Sequence, residues 1–161
     1  MPDPFGHAGN TALALVLAPF VIQALAMLVD EGIYHRRRGL PRWERIGHPA
    51  DTLTVLACYA WLLSVRPSPS HALAYVTLGA FSSLFVTKDE AVHARRCSAG
   101  EHWVHALLFV LHPVVFLVAG ALWWTGRLRP VLVTGAGLTA AFGTYQLLYW
   151  NGRWRRAQPA R

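Results

Sequence analysis

Residues 103–124, WVHALLFVLHPVVFLVAGALWW, run from Trp103 to Trp124 without one Asp, Glu, Lys or Arg. A helix of this length spans about 33 Å at about 1.5 Å per residue, enough to cross a hydrocarbon core of about 30 Å. Tryptophans close both ends, where amphipathic rings favour the membrane interface. The stretch reads as a membrane-spanning helix. Four more segments of the same kind lie on either side of it: Thr11–Val29, Pro49–Val65, His71–Thr87 and Pro130–Trp150. The turn chemistry of Arg66-Pro67-Ser68-Pro69-Ser70 separates the second from the third.

The expected fold is therefore all-α, a single integral membrane domain over residues 1–161 with five transmembrane helices. Composition agrees. The chain of 161 residues is 54% apolar and only 14% charged, where a soluble domain carries about 25% charged residues. Disorder is excluded, since it needs low hydrophobicity and high charge. A well-solvated soluble enzyme has too little charge to draw on here.

Basic residues set the expected orientation. The loops Arg36–Arg45 and Lys88–Gly100 and the tail 151–161 hold 12 of the 15 Lys and Arg; Arg66, Arg127 and Arg129 fall on the other side. The positive-inside rule puts the N-terminus outside and the C-terminus in the cytoplasm, in the inner (cytoplasmic) membrane of a multi-pass protein. The net charge of +7 flanks the spans and forms no domain of its own, so nucleic acid is not an expected partner. Residues 1–10 lack the basic start of a cleavable signal peptide. Cys58 and Cys97 read as free thiols. Trp103, Trp123, Trp124, Trp150 and Trp154 are expected in interfacial belts.

The acids and histidines are segregated. Asp30, Glu31, Glu44, Asp51, Asp89, Glu90 and Glu101 all map to the cytoplasmic ends of spans one to four, and only Asp3 lies elsewhere. His35, His48, His93, His102, His105 and His112 join them; His7 and His71 do not. The order repeats. Asp30-Glu31-Gly32-Ile33-Tyr34-His35 leads through arginines to Glu44-Arg45-Ile46-Gly47-His48. Asp89-Glu90-Ala91-Val92-His93 leads through arginines to Glu101-His102-Trp103-Val104-His105. This reads as two parallel helix-hairpin repeats, about 11–65 and 71–124, offset by about 58 residues, with span five at about 130–150 added.

On an α-helix, i and i+4 share a face. Glu31 then meets His35, Asp89 meets His93, and Glu101 meets His105, with His112 further along the same stripe. His48 is expected to cap span two, with Pro49 in its first turn and Glu44 on a separate turn. Ionisable groups at a membrane are costly and usually functional. Four helices directing carboxylate and imidazole to one axis suit a pair of metal ions. The expected ligands are Glu31, His35, His48, His93, Glu101 and His105, with Glu44, Asp51, Asp89, Glu90 and His112 as further ligands or groups that orient them. Salt bridges to Arg36, Arg37, Arg38, Arg42, Arg45, Arg95 and Arg96 are the simpler use of the carboxylates, but leave the histidines unexplained.

Imidazole with carboxylate suits two metal ions, iron first, with zinc or manganese as alternatives. In arrangement, though not in sequence, the chain resembles membrane di-metal hydroxylases and desaturases, whose spans project histidines to the cytoplasmic face. Of their histidine boxes it holds only His102-x-x-His105. That resemblance implies a di-iron oxidoreductase acting on an apolar or lipid substrate, fed by an electron-donor protein or by the substrate itself. A zinc-dependent lipid hydrolase and a non-catalytic metal-binding transporter or sensor subunit are the alternatives. Gly135, Gly137 and Gly143 read as close helix packing, within the chain or in a homodimer. His102, Tyr145 and Gln146 read as packing or hydrogen-bonding residues, Cys97 as a loop thiol or a ligand, and Gln23 as lining a substrate path or bonding a neighbouring backbone.

Overall fold

A computed structural model describes residues 6–153, and among them every regular element is helical. Five helices are long: α1 (Gly6–Val29), α3 (Arg42–Ser64), α4 (Pro69–Phe85), α6 (Ala99–Trp124) and α7 (Arg129–Leu148). Two short ones, α2 (Arg36–Arg38) and α5 (Glu90–Arg96), continue α1 and α4 past a change of winding. Four continuous stretches are long and apolar enough to cross a membrane: Asn10–Arg38, Pro69–Arg96, Ala99–Trp124 and Arg129–Gly152. α3 is as long but does not qualify, because its first three turns carry Arg42, Glu44, Arg45, His48 and Asp51.

Neighbours pack as an arc. α1 lies on α6, α6 on α4, α4 on α3 and α3 on α7. The apolar core is at one end, where Tyr59, Leu62, Tyr75, Phe116, Leu122 and Trp123 interdigitate. There the Tyr75 hydroxyl donates to Phe116 O at 2.7 Å, and the Trp123 indole to Val65 O at 2.9 Å. The opposite end is polar and buried.

Two expectations need correction. First, α3 does not begin at Pro49. It starts after Pro41, takes Glu44 into its first turn and runs through Pro49. A proline inside a helix leaves the carbonyl four residues earlier without its N–H partner. That carbonyl is Arg45 O, and the side-chain Nδ2 of Asn151 donates to it at 3.1 Å. A residue 106 positions away thus mends the helix. Second, two of the tryptophans assigned to the membrane interface are buried. Trp103 and Trp124 do point outward, at 78% and 52% exposed, but Trp123 lies in the core and Trp150 is 0% exposed. Trp154 lies outside the described residues, as does the basic tail from there on. The close helix packing expected of the α7 glycines is made within the chain by two of them. A Cβ on Gly135 would lie 2.8 Å from the Tyr59 ring, and one on Gly143 would lie 2.9 Å from Thr52 Cγ2. These two glycines let α3 and α7 approach closely, while Gly137 has nothing within 4 Å.

Candidate metal centre

The polar end is built by departures from α geometry. From Asp30 to His35 the chain winds as a π-helix, which places i+5 and i+4 together on one face. Both carboxylates of the Asp30-Glu31 pair therefore reach the same imidazole. His35 Nδ1 lies 3.1 Å from Glu31 Oε2, and His35 Nε2 lies 3.2 Å from Asp30 Oδ2. The corresponding stretch after α4 tightens instead. Val86–Asp89 is a 3-10 turn, which turns Asp89 inward and leaves Glu90 exposed. Glu101 lies in the first turn of α6, where Ser98 caps the helix by accepting from Glu101 N at 3.3 Å. His105 follows one turn later.

These elements bring four histidines into a ring. Centroids are 4.7 Å apart for His35 and His48, 6.4 Å for His48 and His93, 4.1 Å for His93 and His105, and 6.1 Å for His105 and His35. Each comes from a different helical segment. Carboxylates surround them. Four sets of side chains have one donor atom each within 4.8 Å of the others: Asp30, His35, Glu101 and His105; Glu44, His48 and His93; Glu31, His35 and His48; and His93, Cys97 and His105. The sets overlap, each of His35, His48, His93 and His105 belonging to two of them.

Hydrogen bonding is incomplete. Among the described residues, both ring nitrogens of His93, Nδ1 of His105 and Nε2 of His35 are buried and lack a hydrogen-bond partner. Each such group costs about 1–3 kcal/mol. If His35 donates through Nδ1 to Glu31, its Nε2 turns a lone pair toward oxygens of Asp30 and Glu101, 3.2 and 3.9 Å away. A cation between them would remove the repulsion, and Glu31 would fix the ring orientation from behind.

Charge is also unbalanced. Asp30, Glu31, Glu44, Asp89 and Glu101 are buried, and Asp51 is partly so. Among the described residues, two basic side chains form ion pairs with them. Arg38 bridges Glu44 Oε2 at 2.8 Å and Glu101 Oε1 at 2.9 Å. Lys88 bridges Asp51 Oδ1 at 2.6 Å and Asp89 Oδ2 at 3.0 Å. With the imidazoles neutral, Arg38 and Lys88 offset two of these six carboxylates.

The expected residues therefore separate. His35, His48, His93, Glu101, His105, Glu31 and Glu44 converge. Asp89 is buried beside them, 3.9 Å from His48 Nε2. Asp51 is taken by Lys88. Glu90 faces outward. His112 lies further into the bundle, where it meets Ser82 Oγ at 3.1 Å in a chain that continues to Thr54. His102 is outside the ring and donates to His93 O at 3.0 Å. Cys97 comes within the donor distance of His93 and His105. Burial first, then Glu101, pushes its thiol up to about 12, so it is protonated at neutral pH.

Asp30, Lys88 and Trp150 were not foreseen in the site, while Arg38 is one of the arginines expected beside its carboxylates. Asp30 precedes His35 by five, which an α-helical count discards. Trp150 donates its indole N–H to Glu31 Oε1 across 119 positions. Tyr145 meets Arg36 at 3.5 Å, and Gln146 accepts from Thr52 Oγ1 at 2.7 Å.

A cleft of about 570 Å³ runs from this cluster toward the middle of the bundle. Asp30, Glu31, His35, His48, Asp89, His93 and His105 line its polar end. Apolar side chains of α1, α3, α6 and α7, among them Phe20, Met27, Val55, Phe109 and Phe142, line most of the rest.

No known protein family, no curated protein and no solved structure matches the chain.

Proposed function

We propose that the chain is an integral-membrane His/carboxylate metalloprotein that holds two metal ions, iron, and acts as an oxidoreductase on a lipid-soluble substrate at the cytoplasmic face. In this reading α3 crosses with the other four long helices, giving five spans with the N-terminus outside. The two hairpins ending in His48 and His105 are parallel repeats. The observation that carries the proposal is the excess of buried negative charge around unpartnered imidazole nitrogens. Two divalent ions would offset carboxylates that Arg38 and Lys88 do not. Without them each buried unpaired carboxylate is strongly unfavourable. Asp30, His35, Glu101 and His105 would hold one ion, and Glu44, His48 and His93 the other, with Glu31 orienting His35. Nitrogen and oxygen donors in this proportion suit iron, with manganese and zinc next.

Iron there would supply redox chemistry. The chain would supply rigid ligands and an apolar approach. Electrons would come from a donor protein or from the substrate.

The test is elemental analysis of the purified protein alongside a Glu101→Ala, His105→Ala variant. About two irons per chain, lost in the variant while helicity is kept, is the expected result. About one zinc per chain would favour a lipid hydrolase, in which a free carboxylate activates water. A folded protein with no stoichiometric metal would overturn the coordination proposal.

A further inference from the structure

The arc of helices is not closed. α1 packs on α6, and α7 packs on α3, but α1 and α7 have no comparable packing between them. The cleft lies in that gap. Gln23, Ala24, Met27 and Leu28 of α1 face Leu138, Thr139 and Phe142 of α7 across it. Several of these residues, Ala24, Leu28 and Leu138 among them, are exposed, as expected of a mouth rather than a sealed cavity. The mouth is bordered by apolar outward-facing side chains such as Val21, Leu25 and Leu147.

We propose that this cleft seats one long aliphatic chain bearing a hydrogen-bond donor, which enters sideways from the lipid phase between α1 and α7. The inference rests on the membrane placement proposed above and names the substrate class for the same site.

Three observations carry it. The first is shape. The lining runs from His48 to Tyr59 on α3 and from Gly135 to Gln146 on α7, twelve residues each, or about 16 Å along a helix. An extended alkyl chain matches that length. The second is polarity. One end of the cleft carries the His/carboxylate ring and most of the walls are hydrocarbon, so a chain whose polar end is held at Gln23 presents its aliphatic carbons to the ring. The third is Gln23. Its Oε1 is buried and has no hydrogen-bond partner among the described residues, and the residue lines the cleft. It sits eight residues before Glu31, about 12 Å along α1. An occupant that donates a hydrogen bond there would satisfy it; water-free hydrocarbon would not.

The experiment uses the full chain in phosphatidylcholine nanodiscs with a photoactivatable diazirine analogue of hexadecanol, and maps labelled peptides by mass spectrometry. The expected result is saturable labelling of residues 20–28 and 135–142, suppressed by excess unlabelled hexadecanol. Ala24→Trp and Thr139→Trp, which fill the cleft from opposite sides, should each reduce labelling about tenfold. Leu84→Trp, at a position 72% exposed on another face, should not. Labelling spread over all outward faces and not suppressed by competitor would overturn the proposal, as would crosslinks between two copies through the α1–α7 gap. The wild-type competition needs no variant, so misfolding of a filled cleft does not blunt the test. Metal content of the same samples separates the two readings. Saturable labelling without metal sinks the metal centre and keeps the cleft; metal with unsaturable labelling does the reverse.

Discussion

Trp150 and Glu31 are joined by a hydrogen bond from the indole N–H to the carboxylate, between the last described turns of the chain and the π turn that follows α1. The same carboxylate holds His35 through its other oxygen at 3.1 Å. Trp150 therefore acts on the imidazole at one remove. Trp150→Phe keeps the buried ring and deletes the donor. It should lower stability by about 1.5–3 kcal/mol, as for a hydrogen bond to a charged group, and weaken metal retention. Thermal melting of metal-stripped and metal-loaded protein checks both effects.

The bond from Asn151 to the carbonyl freed by Pro49 makes a double-mutant test available. Asn151→Ala alone should cost about 1 kcal/mol or more, since it leaves Arg45 O without that donor. In a Pro49→Ala background the helix can supply its own N–H, so the same change should cost much less. Equal losses in the two backgrounds, measured by denaturant titration, would show that Asn151 does not compensate for the proline.

Arg38 holds Glu44 and Glu101 together in the absence of metal. Arg38→Gln should destabilise the metal-free protein by about 3 kcal/mol, the lower range for removing one partner of a buried pair. A divalent ion would supply the missing positive charge, so the loss should shrink on metal loading. If the melting temperature falls equally in both forms, Arg38 and the metal do not serve the same carboxylates.

Metal content should separate the ring from its surroundings. His93→Ala should lose metal, because His93 belongs to two of the donor sets. His112→Ala should keep it: His112 is seven residues beyond His105, about 10 Å along α6, and already bonds Ser82. Glu90→Gln should keep it as well. Loss of metal in either of the last two variants would move the centre away from the ring.

The helical class, the approximate extents of the long helices and the clustering of acids with histidines were legible from apolar runs and spacing alone. His35, His48, His93 and His105 meet because spacing within each segment and the alternating direction of the helices fix their level. Details depending on the winding of one turn were not legible. Counting by four finds Glu31 with His35, but only the π turn adds Asp30, and only the 3-10 turn before α5 keeps Asp89 while turning Glu90 away. Contacts distant in sequence were equally hidden. Pro49 reads as a helix start until Asn151 is seen bonding Arg45 O. Trp150 reads as an interface residue until its indole is seen on Glu31.

The positions of Trp150 and Asn151 in the chain have a consequence for biogenesis. Every proposed ligand, from Asp30 to His105, leaves the ribosome before α7 is made. The two side chains that fasten the π turn and repair α3 come out only after α7. During synthesis the donor atoms are thus all present in an unfinished pocket well before its fastenings arrive. Metal acquired early would meet loosely held ligands, and the final shape of the centre would be set only as the fifth long helix takes its place. A nascent chain arrested just before residue 149 would carry the whole donor set and lack both of these fastenings.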